Sequence, residues 1–117
     1  MVKFSQLGAR VVVLDIDETN GNDLANNINN NGGSALFLKT DVSEYDQVER
    51  AFQAICDRFG SISILINNAG ICNNYPLQEI NPKSINRTIR TNLLSHFWTV
   101  KLALPKMFEN KKGGLRF

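Results

Sequence analysis

The chain has 117 residues, enough for one modest domain, and its 43% hydrophobic content is enough to build a core. Lysine and arginine total 13 against 11 acidic residues, a formal net charge of +2 that is too balanced to argue for nucleic acid; the local excess at Lys101, Lys106, Lys111, Lys112 and Arg116 complements a helix C-terminus. No apolar run approaches the ~18 residues of a membrane span, no signal-peptide core opens the chain, and Cys56 and Cys72 show neither framework nor metal spacing, so the chain reads as soluble and cytoplasmic with no metal site.

Residues 1–7 read as the last two turns of a helix, with Gly8 just past its end. "RVVVLDI" (10–16) is β-branched and continuously apolar, as a strand covered on both faces should be. From Glu18 to Asn31, Leu24, Ala25 and Ile28 recur at helical spacing until Gly32-Gly33. Seven of those fourteen residues are Asn, a poor helix former. "SALFLKT" (34–40) is a second buried strand. Ser43 with Asp46 resembles a capping box, and Val48, Ala51, Phe52, Ile55 and Phe59 then make one apolar helix face closed by Gly60. "ISILIN" (62–67) is the third strand, and after Pro76 and Pro82 a long helix runs from about Ser84 to Phe108. Strand and helix alternate through short links, the pattern of an α/β, doubly wound parallel sheet with three strands and three to four helices.

Such sheets bind ligands beyond the carboxyl ends of their strands, and here those ends carry Asp15, Asp41 and Asn67-Asn68. An acidic residue at Asp15 can accept both hydroxyls of an adenosine ribose and repel a 2′-phosphate, which favours NAD over NADP. Equally, Asp15 and Asp17 are turn formers ahead of the next helix, and Asp41 is a turn residue ahead of Ser43. A calcium-loop reading of "DIDETNGND" fails, because Gly21 stands at the seventh position and Asn26 at the twelfth. Small residues after Asn67-Asn68 suit close approach to the backbone. Asn92, set among Ile89, Leu93, Leu94, Phe97 and Trp98, needs a partner or a distorted turn to justify an amide in mid-helix. His96 has no acid or nucleophile at fixed spacing, and the sequon Asn86-Arg87-Thr88 carries no argument without a secretory signal.

Asp15 after "VVVL", Asp41-Val42 after the next strand, "NNAG" at 67–70 and Asn92 together resemble the short-chain dehydrogenase/reductase family in order and spacing. "NLLSHFWTVKLALPKM" (92–107) is similar to the branch holding the 17β-hydroxysteroid and retinol dehydrogenases. The resemblance implies a partial Rossmann-like domain over 1–117 that lacks the family's first strand. It implies that Asp15 binds the adenosine ribose of NAD, Asp41 and Val42 the adenine, and that Asn68, Ala69 and Gly70 line the cofactor. Asn92 would be the asparagine of an Asn-Ser-Tyr-Lys tetrad, holding a water in the proton relay. The substrate class implied is an alcohol or ketone of a steroid, retinoid or other lipid, and longer relatives would attach to endoplasmic reticulum or lipid droplets.

Two departures qualify that expectation. The family's TGxxxGxG turn, which holds the pyrophosphate, is not among residues 1–117, and neither Tyr45 nor Tyr75 has a lysine four residues on. Lys112-Gly113-Gly114 matches the entry to a further strand, but Leu115-Arg116-Phe117 departs from the family pattern. The expectation is a chain inactive alone, with weak or no NAD binding. The alternatives are a non-enzymatic form that pairs with itself or a full-length relative through the helix 84–108, and a product without function.

Overall fold

The computed structural model describes residues 1–111 and 113–117; Lys112, counted above with the basic helix end, lies outside the described residues. Two units follow one another along the chain, Met1–Asp41 and Val42–Phe117.

In the first unit, β1 (Arg10–Asp15) and β2 (Ser34–Lys39) pair in parallel, from Arg10 opposite Ser34 to Asp15 opposite Lys39. The short helix α1 (Val2–Gln6) precedes them, and Gly8 turns the chain at φ 86°, a left-handed conformation that suits glycine. Between the strands runs α2 (Glu18–Asn30), burying Gly21, Ala25 and Ile28. Its asparagines are used rather than tolerated. The Asp17 carboxylate caps the helix by accepting from the Asn20 N–H at 3.0 Å, and the Asn20 side chain donates to the same group. These two bonds hold Asp17 below the usual carboxylate range. At the other end the Asn29 amide pairs with both backbone groups of Ala35, accepting at 2.7 Å and donating at 3.1 Å, which ties the helix to β2. Only Val11 of β1 is fully buried; Val12, Val13 and Leu14 are half-buried, so the strand is not covered on both faces as its apolar run suggested.

In the second unit, α3 (Tyr45–Phe59) buries Val48, Ala51, Phe52 and Ile55 on the face expected from its periodicity. It starts one residue later than a Ser43 cap implies, with Glu44 in the cap position and its carbonyl accepting from Gln47 and Val48. The strand β3 is shorter than the sequence suggested, Ile64–Ile66, and it pairs in parallel with β4 (Gly114–Arg116). This fourth strand corrects the expected count of three. Three residues with one glycine and one arginine are too short and too polar to show a strand pattern on their own, and pairing with β3 is what extends them.

The long helix is interrupted. α4 (Pro82–Ile89) opens on Asn81, whose side chain accepts from the Ser84 N–H at 2.9 Å; a π-helical turn follows at Arg90–Leu94, and α5 continues as Ser95–Glu109. The inner face of this rod is not its row of large apolar residues. Thr91, Ser95, Thr99, Ala103 and Met107 are the buried residues, and they allow α5 to pack against α3 and β3. Ile85, Ile89, Leu93 and Phe97 are 44 to 66% exposed. Both sets recur every four residues, so periodicity alone could not tell which one faces inward. No helix among the described residues is long and apolar enough to cross a membrane.

Candidate functional site

The sequence-derived site residues fall into two sets, one in each unit. Asp15 and Asp41 lie at and beyond the carboxyl ends of the parallel pair β1–β2. The exposed Asp15 accepts from the Asp17 N–H at 3.0 Å through one carboxylate oxygen. A carboxylate offers about four acceptor sites, so the turn-forming role leaves capacity for a ligand hydroxyl. The two strand ends are held together by the Thr40 N–H donating to the Asp15 carbonyl at 2.9 Å, with Thr40 itself buried. Asp41, half-buried, follows directly.

The second set comprises Val42, also half-buried, ahead of α3, and the residues that follow the end of β3 together with Asn92. The Asn67 N–H donates to the Arg116 carbonyl at 2.8 Å, carrying the β3–β4 pairing one residue further. Thr99 of α5 donates through its hydroxyl to the Asn67 side-chain oxygen at 2.8 Å, so Asn67 serves to anchor the strand end to the helix. Asn68, Ala69 and Gly70 then emerge exposed. Their backbone is open to a flat or polar group, and the small side chains of Ala69 and Gly70 leave it so. A Cβ at Gly70 would stand 3.7 Å from Asn92 Oδ1, an ordinary contact, so this glycine is not required by crowding within the chain.

Asn92 sits in the middle of the π turn, and both justifications asked of it are present. Its Oδ1 accepts from the Ile71 N–H and its Nδ2 donates to the Ile71 carbonyl, each at 2.8 Å. The side chain is exposed rather than buried among the neighbouring apolar residues. π turns are frequent at functional sites, and this one holds the loop that leaves Gly70. The sequence reading missed Ile71 as the partner, because a backbone group leaves no residue-type signal. It also missed Arg90, whose guanidinium lies 5.3 Å from the Trp98 ring centroid while Nε donates to the Ser43 carbonyl at 2.9 Å. His96 is half-buried with its ring tilted against Phe117, 5.9 Å between centroids.

Comparison with known proteins identifies the family. The family model described as short chain dehydrogenase matches residues 1–115. The chain is 31% identical over 111 residues to estradiol 17-beta-dehydrogenase 11 of Mus musculus, covering 95% of this chain and 37% of that protein. It is 33% identical over 115 residues to short-chain dehydrogenase/reductase family 16C member 6 of Bos taurus, covering 97% and 36%. The chain thus spans well under half the length of these curated relatives. Among solved structures, a metagenomic short-chain oxidoreductase in complex with NADP superposes with a TM-score of 0.92 at 27% identity, covering 97% of this chain and 52% of that one. A short-chain dehydrogenase/reductase from Burkholderia xenovorans gives 0.89 at 26% identity, covering 97% and 45%.

Proposed function

The chain belongs to the short-chain dehydrogenase family, and from that premise we propose that residues 1–117 supply the adenosine side of an NAD site and one relay residue of an alcohol or ketone oxidoreductase. Within the first unit, Asp15 and Asp41 at and beyond the carboxyl ends of β1 and β2 support the reading, and within the second unit it is supported by 68–70 following the carboxyl end of β3, with Asn92 clamped on the residue after Gly70. Asp15 holds the ribose hydroxyls, and its charge disfavours a 2′-phosphate. Asp41 and Val42 take the adenine edge, and the exposed backbone of 68–70 lies along the nucleoside. The side-chain amide of Asn92 is engaged by Ile71, which leaves its main-chain carbonyl, in a widened turn, as the group to hold a water. When bound, NAD would supply the hydride acceptor. The name of the Mus musculus relative supports a steroid alcohol as substrate, and the sequence resemblance extends the proposal to a retinoid or other lipid alcohol.

The 117 residues contain neither the glycine-rich pyrophosphate turn nor a tyrosine with lysine four residues on, so this chain alone is proposed to bind NAD weakly and turn over nothing. Losing the acid–base pair typically removes a factor of about 10²–10⁴. Titrating NAD and NADP into isotope-labelled chain tests the reading. The expected result is shifts at Asp15, Val42, Asn68 and Gly70, a Kd of roughly millimolar (about −4 kcal/mol), NAD preferred over NADP, and that preference lost in Asp15→Asn. Nucleotide-independent spectra at those residues would overturn the site, and NAD-dependent oxidation of estradiol or retinol by the purified chain would overturn its inactivity.

A second reading, association with another copy or with a longer relative, is favoured by one specific feature. Ile85, Ile89, Leu93 and Phe97 form an exposed apolar row along α4, the π turn and α5.

A further inference from the structure

Arg90 is the first residue of the π turn, and it reaches the segment just before α3, 47 residues earlier in the chain. Three groups receive it. Its Nε donates to the carbonyl of Ser43, a residue 2% exposed, at 2.9 Å. Nη2 meets Glu44 Oε2 at 3.4 Å, with side chains 36% and 54% exposed, a pairing too solvated to contribute much. The guanidinium carbon lies over the Trp98 ring of α5, 5.3 Å from its centroid, and Trp98 in turn meets the Tyr45 ring edge-to-face at 5.8 Å. One planar side chain therefore joins the segment Val42–Glu44, the start of α3 and the first turn of α5 to the turn that carries Asn92.

We infer that Arg90 is a positioning residue: it holds the π turn so that Asn92 keeps its two-bond grip on Ile71, and so aligns the loop leaving Gly70 with the segment Val42–Glu44. Its functional consequence rests on reading Val42 and 68–70 as nucleotide-lining; the mechanical claim does not. The role needs a guanidinium. A donating Nε and a cationic centre over the ring belong to the same rigid group, whereas a lysine ammonium is a point charge on a flexible stem and cannot supply both.

Amide hydrogen exchange on the full chain tests it, comparing wild type with Arg90→Met, Arg90→Lys and Glu44→Gln. In both Arg90 variants the segment 68–74, which contains the Ile71 amide, should exchange about tenfold faster or more, since local opening responds to lost tertiary bonds. The Asn67 and Gly114 amides, which bond to Arg116 and Ser63, should change by less than about twofold. Glu44→Gln should leave both segments as in wild type. A uniform rise in all segments, as general destabilisation produces, or no rise in 68–74, would overturn the inference. Arg90→Lys keeps the test open if Arg90→Met does not fold. The same experiment with NAD added to wild type separates the two claims: absent protection at 42–44 and 68–71 would sink the nucleotide reading, while the Arg90 inference stands or falls on the pattern without nucleotide.

Discussion

The amide of Asn92 faces one peptide unit, Ile71, and matches it donor to acceptor and acceptor to donor. Asn29 does the same with Ala35 in the first unit. In each case a side chain bonds both backbone groups of one residue, fixing a helix to β2 in the first unit and to the loop after Gly70 in the second. Asn92→Ala removes both bonds. At ~0.5–1.5 kcal/mol net for each, with exposure reducing the benefit, the expected loss is about 1–2 kcal/mol, read from the denaturation midpoint. Asn92→Asp retains the acceptor but sets a carboxylate against the Ile71 carbonyl, so it should not rescue the Ala variant. A midpoint for Asn92→Asp equal to wild type would contradict this geometry.

At the scale of elements, α2 shows how packing overrides propensity. Its Gly21 is buried against β2, and a Cβ there would stand 2.1 Å from Cε2 of the Phe37 ring. Gly-to-Ala in a helix interior ordinarily gains ~0.8–1.0 kcal/mol. Here the ring must move, and overpacking of this kind costs about 1–3 kcal/mol. Gly21→Ala should therefore lower the thermal midpoint, and Gly21→Ala combined with Phe37→Leu should recover part of the loss. A raised midpoint for the single variant would show that the ring yields freely. The rod of α4, π turn and α5 carries the opposite lesson. Its buried side is built from Thr91, Ser95 and Thr99; the Ser95 hydroxyl donates to the Thr91 carbonyl, and the Thr99 hydroxyl donates to the Ser95 carbonyl and to Asn67. Small paired hydroxyls let the helix approach its neighbours closely at little desolvation cost.

For the whole molecule, each sheet has two strands, so each strand has one edge without a strand partner among the described residues. Two-stranded sheets are marginal by themselves, and open edges invite pairing with another chain. The exposed row Ile85, Ile89, Leu93 and Phe97 adds an apolar face on the second unit. The chain is expected to associate rather than persist as a monomer. Sedimentation velocity should show a weight-average mass that rises with concentration, and Ile89→Lys with Phe97→Asp should reduce it. A monodisperse monomer with a cooperative thermal transition would refute the expectation.

Local order along the chain was legible in the residues themselves. The apolar runs, the face Val48–Ala51–Phe52–Ile55, the glycine that ends α1 and the α/β alternation depend on neighbours a few positions apart, and such short-range preferences survive without knowledge of partners. The Asn92 problem was visible too, since an amide amid apolar residues demands an explanation wherever the chain goes. What answered it was tertiary: a peptide 21 residues away and a π turn that no local pattern signals. The same holds for β4, for Arg90 on Ser43, and for the choice between two equally periodic faces of the rod of α4, π turn and α5. Each depends on which surfaces meet, and a four-residue repeat fixes only that a face exists, whereas the space available against α3 and β3 decides that the small, hydroxyl-bearing one is inside.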